Sequence, residues 1–208
     1  MDWLLLGRKP RLNDWLARPF TPGGFDGPRD GDKRDNHERV VAVEAPGPPA
    51  EDGPFRRLAA AIFSFRIFPP NILTGVLAAE PVNLGDTVGA CYYWLPGCRL
   101  FFAARVYERF DERCEGPAGE LWRTGFSYRT LDGHPMCGEE TFCVEKNMAT
   151  GQITAAVRSW SRPVHWTTRW GYPLARRWQL QAGRAALDHL QSIAGVPAQV
   201  PAMPLGNG

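Results

Sequence analysis

The chain has 208 residues, of which 44% are hydrophobic and 22% charged, and its formal net charge is +2. This length and composition are typical of one globular domain that buries a sizeable core. The small net charge does not indicate a nucleic-acid-binding surface, and no stretch of the sequence approaches the roughly 20 apolar residues of a transmembrane helix.

Residues 1–35 are predicted to be a loosely ordered leader. The apolar run near its start is too short for a signal peptide, and Asp2 stands where a basic segment would be. Glycine, proline and charged residues dominate positions 21–34, which is typical of a linker. The five cysteines include no Cys-x-x-Cys pair, so we expect free thiols and a cytoplasmic protein.

A single domain is predicted over residues 36–195, and it begins with a strand and a helix. The apolar run at 40–45 indicates the strand, and Gly53-Pro54 is typical of a helix start. The prolines at 69 and 70 are expected to end this helix. Its buried face follows the i, i+3, i+4, i+7 spacing and consists of Phe55, Leu58, Ala59 and Ile62.

A run of six strands follows, joined mostly by short turns rich in Gly, Asp and Asn. Such turns join antiparallel neighbours. The strands are expected at 73–79, 87–94, 99–110, 121–131, 138–146 and 152–161.

A long helix is predicted over 173–193, followed by a disordered tail at 196–208. Small residues occupy the middle of one helix face, and such a face either packs very closely on a sheet or leaves a void. Large neighbours such as Trp178 favour the void. The face consists of Gln179, Ala182, Gly183, Ala186, Leu190 and Ile193.

The order of strand, helix, antiparallel strands and long helix is typical of an α+β sandwich. We expect a helix-grip fold, in which a curved antiparallel sheet of about six to seven strands wraps around the long C-terminal helix and encloses a deep interior. Eight Trp and eleven Phe favour a lined cavity or an interface, with a large aromatic core as the alternative.

Four segments between residues 36 and 190 indicate a family. The longest is Gly125–Pro135 (Gly-Phe-Ser-Tyr-Arg-Thr-Leu-Asp-Gly-His-Pro) with 138–142, and the others are 37–41, 55–68 and 159–163 with the C-terminal helix. In these segments the chain resembles an uncharacterised bacterial and plant family, catalogued as domain of unknown function "nineteen-ninety". The leader departs from the usual opening of that family.

The resemblance implies a fold more than an activity. The family is similar in element order to the START-like (Bet v-like), polyketide-cyclase-like superfamily. Members of that superfamily bind lipids, sterols, polyketides or hormones in their cavity, and some carry out cyclisation or other acid–base chemistry there.

Strand alternation selects the candidate catalytic residues. Glu140 shares a face with Phe142 and is expected to enter the cavity, where a buried carboxyl group can act as a general acid or base. Tyr128 shares a face with Phe126 on the neighbouring strand. His134 lies in the turn between the two strands, and we expect it to form one polar cluster with Glu140 and Tyr128. For each of them a purely structural role is the alternative.

Further residues are predicted to contact a ligand. Arg162 is a candidate to hold an anionic group or to pair with Glu139 or Glu140, but a structural salt bridge that joins the sheet end to the helix is favoured. The other predicted ligand contacts are Phe126, Phe142, Trp160, Trp178 and Ala182.

No metal or cofactor is expected. His134 and Cys137 lack the second pair of ligands that a zinc site needs. The sequence has no nucleophile elbow, phosphate-binding loop or dinucleotide fingerprint. Aromatic and basic residues alternate over 160–178, which indicates either a surface for nucleic acid or membrane, or a lid over the cavity. Because the net charge is small, we favour the lid and expect no nucleic acid as a partner.

The sequence therefore predicts a small-molecule binding protein, monomeric or homodimeric, for an apolar or amphipathic ligand. One alternative is a cofactor-independent enzyme of cyclase, isomerase or hydrolase type that uses Glu140, His134 and Tyr128. Another is a module that binds a protein or a membrane through the aromatic–basic stretch.

Overall fold

A computed structural model describes residues 4–6, 9–95, 98–117, 119–164 and 172–195. Within these residues it has eight strands, two α-helices and one 3₁₀ helix at Leu12–Trp15. The helices are α1 (Pro54–Phe63) and α2 (Tyr172–Gly195). The strands are β1 (Leu4–Leu6), β2 (Lys33–Val43), β3 (Leu73–Val76), β4 (Thr87–Leu95), β5 (Cys98–Gly116), β6 (Gly119–Thr130), β7 (Met136–Asn147) and β8 (Gln152–Pro163).

All described strands join one open antiparallel sheet in the order β2-β8-β7-β6-β5-β4-β3, and β1 pairs with β5. Both α-helices pack on the same face of the sheet, which we call the concave face; the opposite face is the convex face. The predicted α+β helix-grip fold is confirmed. The sheet has one strand more than the upper number expected, because the leader contributes β1.

Bulges interrupt the pairing of three strands, one of which is β4, between Tyr93 and Leu95. The register shifts at Val41 in β2 and at Tyr107 in β5. An extra residue on one strand bends it and increases its local twist. The 19-residue β5 is therefore able to follow the curve of the sheet along its whole length.

The helix α1 ends earlier than the sequence predicts. The prediction continues it to the prolines at 69 and 70, but its last residue is Phe63. Phe65 follows with a φ of 52°, a left-handed conformation that a helix cannot continue. The Phe65 ring lies so close to Gly75 that a Cβ atom there would be 2.5 Å from its Cδ1. Packing of this ring against β3, and not proline, therefore ends the helix.

The helix α2 packs along β2. Its residue Gly183 faces His37, and a Cβ atom at this glycine would lie 2.5 Å from the Cδ2 atom of the imidazole. Two residues to each side of His37 on β2, Asp35 binds Arg176 and Arg39 binds Asp188 of α2. The small face of α2 thus accommodates a ring of β2 at this point.

The leader is a folded part of the sheet's convex face, which differs from the loosely ordered segment predicted. Trp15 is only 2% exposed and its ring packs edge-on against Phe101. Thr21 donates its main-chain N–H to the carbonyl of Thr130. A second apolar cluster forms beneath the leader from Leu5, Leu12, Trp15, Cys91, Phe101, Ala103 and Leu131. The predicted domain start at 36 also falls inside β2, and the predicted tail at 196–208 lies outside the described residues.

Neither described α-helix combines the length and apolar character required to cross a membrane.

Candidate functional site

A cavity of about 410 Å³ lies between α2 and the concave face of the sheet. Ala182 and Gly183 form part of its helix wall, where their small side chains leave the space open. The rest of the wall is mainly aromatic and aliphatic. Its large apolar side chains include Phe65, Phe68, Val88, Tyr92, Leu100, Phe102, Met136 and Val157.

A carboxyl group and a phenol meet at the sheet wall of this cavity. Glu140 and Tyr128 are direct cross-strand neighbours on β7 and β6. The Tyr128 hydroxyl donates a hydrogen bond of 2.5 Å to Oε2 of Glu140. Both residues line the cavity, and the alternation along β7 places Glu139 on the convex face, where it pairs with Arg129 at 2.9 Å.

The environment of Glu140 favours its neutral form. Burial raises the pKa of this carboxyl group to about 7, although the Tyr128 hydrogen bond lowers it and the nearby Asp35 carboxylate raises it further. Burial and the Glu140 charge raise the pKa of Tyr128 well above its usual value. At neutral pH the pair therefore consists of a phenol and a carboxyl group that is close to its titration midpoint.

Two more polar side chains complete this part of the wall. Asp35 of β2 is held by both terminal nitrogens of Arg176, one of them at 2.5 Å. Tyr92 of β4 lines the cavity, and among the described residues its hydroxyl has no hydrogen-bond partner. Burial and the charge of Glu140 raise the pKa of Tyr92 as well.

His134 lines the same cavity, but the structure does not join it to the pair in one cluster. Its Nδ1 lies 2.8 Å from the carbonyl oxygen and 3.0 Å from the N–H of Met136, so in either tautomer this nitrogen bonds to the turn itself. Its ring lies 4.8 Å from that of Phe102. Four residues of strand, about 13 Å, separate Met136 from Glu140. Burial lowers the pKa of His134 to about 4, so the ring is neutral at pH 7.

The predicted ligand contacts divide into wall and core residues. Trp178 and Ala182 are wall residues. Phe126 and Phe142 are 0% and 1% exposed and pack in the core beside the wall, where their rings contact Tyr128. They therefore support the wall and are not part of it.

Trp160 and Arg162 have their side chains on the other face of the sheet. Alternation along β8 directs Ser159 and Ser161 to the cavity and Trp160 and Arg162 to the convex face. There the Arg162 guanidinium lies 5.0 Å from the centre of the Trp160 ring. The prediction that Arg162 holds a ligand or pairs with Glu139 or Glu140 is not what the structure shows. Arg162 instead binds Asp32 at 3.0 Å and the main-chain carbonyls of Gly23 and Gly27. Trp160 borders the cavity through its main chain.

Sequence reasoning missed two polar residues of the site. Asp35 lay in the segment taken for a leader, although the alternation of Asp35, His37 and Arg39 is a strand signal that continues the apolar run after it. Tyr92 lies on a correctly predicted strand. Only the pairing of β4 with β5 and the curvature of the sheet bring it near Glu140.

No group of three or more His, Cys, Asp or Glu side chains in the described part of the chain is arranged to hold a metal ion. The five cysteines are free thiols. Residues 165–171, in the middle of the aromatic–basic stretch, lie outside the residues that the structure describes, as do the side chains of 172–175.

Comparison with known proteins gives the family. Residues 25–189 match the family model described as "Domain of unknown function (DUF1990)". Two curated relatives are named UPF0548 protein: one from Dictyostelium discoideum is 28% identical over 131 residues, and one from Arabidopsis thaliana is 29% identical over 119 residues. The alignments cover 60% and 55% of this chain and 59% and 56% of those proteins.

Solved structures share the fold at low sequence identity. A hypothetical protein from Helicobacter pylori is 11% identical with a TM-score of 0.50, covering 86% of this chain and 96% of its own. A major latex-like protein from Panax ginseng is 9% identical with a TM-score of 0.43, covering 76% and 97%. The match of the family model over most of the sequence establishes that the chain belongs to the DUF1990 family.

Proposed function

We propose that the protein binds an apolar or amphipathic small molecule in the cavity between α2 and the sheet. The observation that carries the proposal is the cavity itself: its volume of about 410 Å³ is within the range of roughly 300–1,000 Å³ for small-molecule sites. Its wall is mainly apolar, with a few polar groups concentrated around Glu140. This combination is typical of sites in which apolar contact supplies affinity and the polar groups orient the ligand.

Filling the cavity tests this proposal. A neutral naphthylamine dye, N-phenyl-1-naphthylamine, is expected to gain fluorescence when it enters the wild-type cavity. The substitution Ala182→Trp introduces an indole into the space beside α2, so the dye affinity should fall at least tenfold. Gln181 precedes it on the same helix and is exposed. Gln181→Trp is therefore the matched control and should keep the wild-type affinity.

Thermal unfolding of both variants shows whether the fold is retained. A folded Ala182→Trp variant with undiminished dye affinity would contradict the proposal, and so would a wild-type protein that leaves the dye in water.

A second candidate function is catalysis of proton transfer without a cofactor. It is favoured by one observation, the buried Glu140 carboxyl group beside the Tyr128 hydroxyl, with a pKa near 7 that suits a general acid or base. A catalytic role predicts that Glu140→Gln keeps the affinity for the neutral dye but loses turnover of a substrate. Pure binding predicts no turnover in either protein. His134 is not part of this candidate catalytic pair, because its Nδ1 bonds to the main chain of Met136 in the turn and the ring does not lie beside Glu140.

A further inference from the structure

The charged groups that face the cavity are predominantly acidic. Glu140 and Asp35 line it together with two imidazoles, His37 of β2 and His134, and no lysine or arginine is among the described lining residues. Arg176 approaches Asp35 but is bound to its carboxylate by both terminal nitrogens. His134 is neutral at pH 7 because burial lowers its pKa to about 4. An anionic ligand group would therefore meet two carboxyl groups and no lining lysine or arginine, which is unfavourable in an apolar space.

Three polar atoms of the same wall lack a partner within the described structure, and one of them, Oε1 of Gln179, is fully buried. Glu140 uses Oε2 to accept the Tyr128 hydrogen bond, and no described group bonds to its Oε1. The Tyr92 hydroxyl is also without a hydrogen bond, although the charge of Glu140 acts on it. Oε1 of Glu140 and the Tyr92 hydroxyl are not among the fully buried atoms without a partner, so both are open to the cavity space. Since both residues line the cavity, a molecule inside it is placed to supply that partner.

Aromatic rings form much of the cavity wall, and two of them belong to Tyr128, which binds Glu140, and to Phe65, which contacts the Tyr128 ring. Tyr92, Tyr128, Phe65 and Phe102 all contribute to the wall. The face of an aromatic ring attracts a cation, and the attraction grows when water is excluded. A carboxyl group and aromatic rings in one cavity can together bind an ammonium group. The carboxylate supplies the counter-charge and the hydrogen-bond acceptor, and the rings supply the faces for cation–π contact.

We propose that the ligand of this cavity is an amphipathic organic cation, an apolar molecule whose protonated amino group binds Oε1 of Glu140 and the hydroxyl of Tyr92. The inference rests on the proposed binding function and specifies the chemical class of the ligand. It excludes fatty acids and other carboxylates as the preferred class. A neutral alcohol could satisfy the same hydrogen bonds, but it would gain neither the charge-assisted bond nor the cation–π contact.

Titration of Glu140 gives the inference a signature that a neutral ligand lacks. The titratable groups that line the cavity with Glu140 are Tyr128 on β6, Tyr92 on β4, His37 and Asp35 on β2, and His134 in the turn before β7. Asp35 is bound to Arg176 of α2. The two phenols stay neutral near pH 7, because their pKa values are raised. An ammonium group stabilises the ionised carboxylate, so binding below the pKa of Glu140 should expel its proton into solution.

Three probes that share one ring system separate the ligand classes. They are 2-naphthylmethylamine, 2-naphthylmethanol and 2-naphthoate, titrated by calorimetry at about pH 8, where the amine is protonated and Glu140 is mostly ionised. The amine should bind roughly tenfold to a hundredfold more tightly than the alcohol, the difference expected of a charge-assisted hydrogen bond. The naphthoate should bind most weakly.

The substitution Glu140→Gln should abolish the preference for the amine over the alcohol. Glu145 provides the matched control, because it lies on the same strand but on the convex face, where it binds Arg158 at 2.8 Å. Glu145→Gln should keep the full preference.

Proton release tests the wild-type protein directly and does not depend on whether a variant folds. At about pH 6, amine binding measured in buffers of different ionisation enthalpy should release close to one proton, and alcohol binding close to none.

The inference is overturned if the naphthoate or the alcohol binds as tightly as the amine, if the amine does not bind, or if no proton is released. The neutral dye separates this failure from that of the binding function. A protein that binds the dye but does not prefer the amine binds an apolar ligand of another class, whereas one that binds neither the dye nor any probe has no binding function in this cavity.

Discussion

At the scale of single residues, burial in one wall shifts two titratable groups in opposite directions. It raises the pKa of the Glu140 carboxyl group to about 7 and lowers the pKa of the His134 imidazole to about 4. In both residues the cause is the same, since a low-dielectric environment disfavours the charged form of an acid and of a base alike. The two residues therefore make opposite contributions to the pH dependence of folding.

These opposite contributions predict a flat stability profile for the wild type. Glu140 is protonated in the folded protein and ionised in the unfolded chain between about pH 4.5 and pH 7, so its contribution to the free energy of unfolding falls as pH rises. His134 is neutral when folded and charged when unfolded between about pH 4 and pH 6.5, so its contribution rises. Each amounts to about 3 kcal/mol at full extent.

Removing one of the two groups should reveal the pH dependence of the free energy of unfolding that the other group causes. Urea unfolding of Glu140→Gln should show stability increasing from about pH 4.5 to pH 6.5, whereas His134→Asn should show it decreasing over the same interval. Parallel profiles for the two variants would show that the pKa shifts are not those of the folded protein.

At the scale of elements, one carboxylate joins a strand end, a helix start and another strand. Glu44 follows β2 and accepts hydrogen bonds from the main-chain N–H groups of Phe55 and Ala50. It thereby caps α1, whose N-cap Gly53 has no side chain to do so. Its Oε2 lies 2.8 Å from Nζ of Lys146, and the side chains of this pair are only 5% and 1% exposed. The hydrogen bonds and the ion pair keep the pKa of Glu44 below its usual value despite burial.

Removing this carboxylate should destabilise the fold strongly. Glu44→Gln leaves the buried Lys146 ammonium group without a counter-charge, and we expect the free energy of unfolding to fall by about 3 kcal/mol or more. Adding Lys146→Met should recover part of that loss, because the unpaired charge is then gone. Glu51→Gln is the control at an exposed site and should change stability by less than about 0.5 kcal/mol. Equal losses in the single and the double variant would contradict this explanation.

At the scale of the whole molecule, the sheet is covered on both faces. The two helices and the cavity occupy the concave face, while the leader covers part of the convex face through Trp15 and the residues around it. Arg162 fastens the second half of the leader by its bonds to Asp32, Gly23 and Gly27. The leader is therefore part of the folding unit, and the match of the family model from residue 25 already includes its last residues.

Truncating Trp15 tests the contribution of the leader. Trp15→Ala should lower the free energy of unfolding by about 3–5 kcal/mol, the usual loss for a large buried aromatic side chain. Leu16 is the matched control, because it is the next residue and is 47% exposed. Leu16→Ala should have an effect below about 1 kcal/mol. Similar small effects for both would mean that the leader does not pack as described.

The site could be predicted in part, and the division follows the range of the interactions. Tyr128 and Glu140 could be assigned to one face because alternation along a strand is a local property. The separation of His134 from them could not, since the sequence shows that a turn joins the strands but not how far along the hairpin each side chain lies. A structural salt bridge of Arg162 could be predicted, but its partner Asp32 could not, because it lies about 130 residues earlier in the chain.

The sequence by itself determined the order of the elements, the approximate limits of most strands, the helix-grip arrangement and the family. Periodicity, turn residues and short family segments carry this information within a few residues of each position. Only the tertiary structure decided that the leader folds onto the convex face, that Asp35 and Tyr92 join Glu140 at the cavity, and that Phe126 and Phe142 are core. These outcomes depend on sheet curvature and on contacts between distant segments, where the free energy comes from burial that no local pattern records.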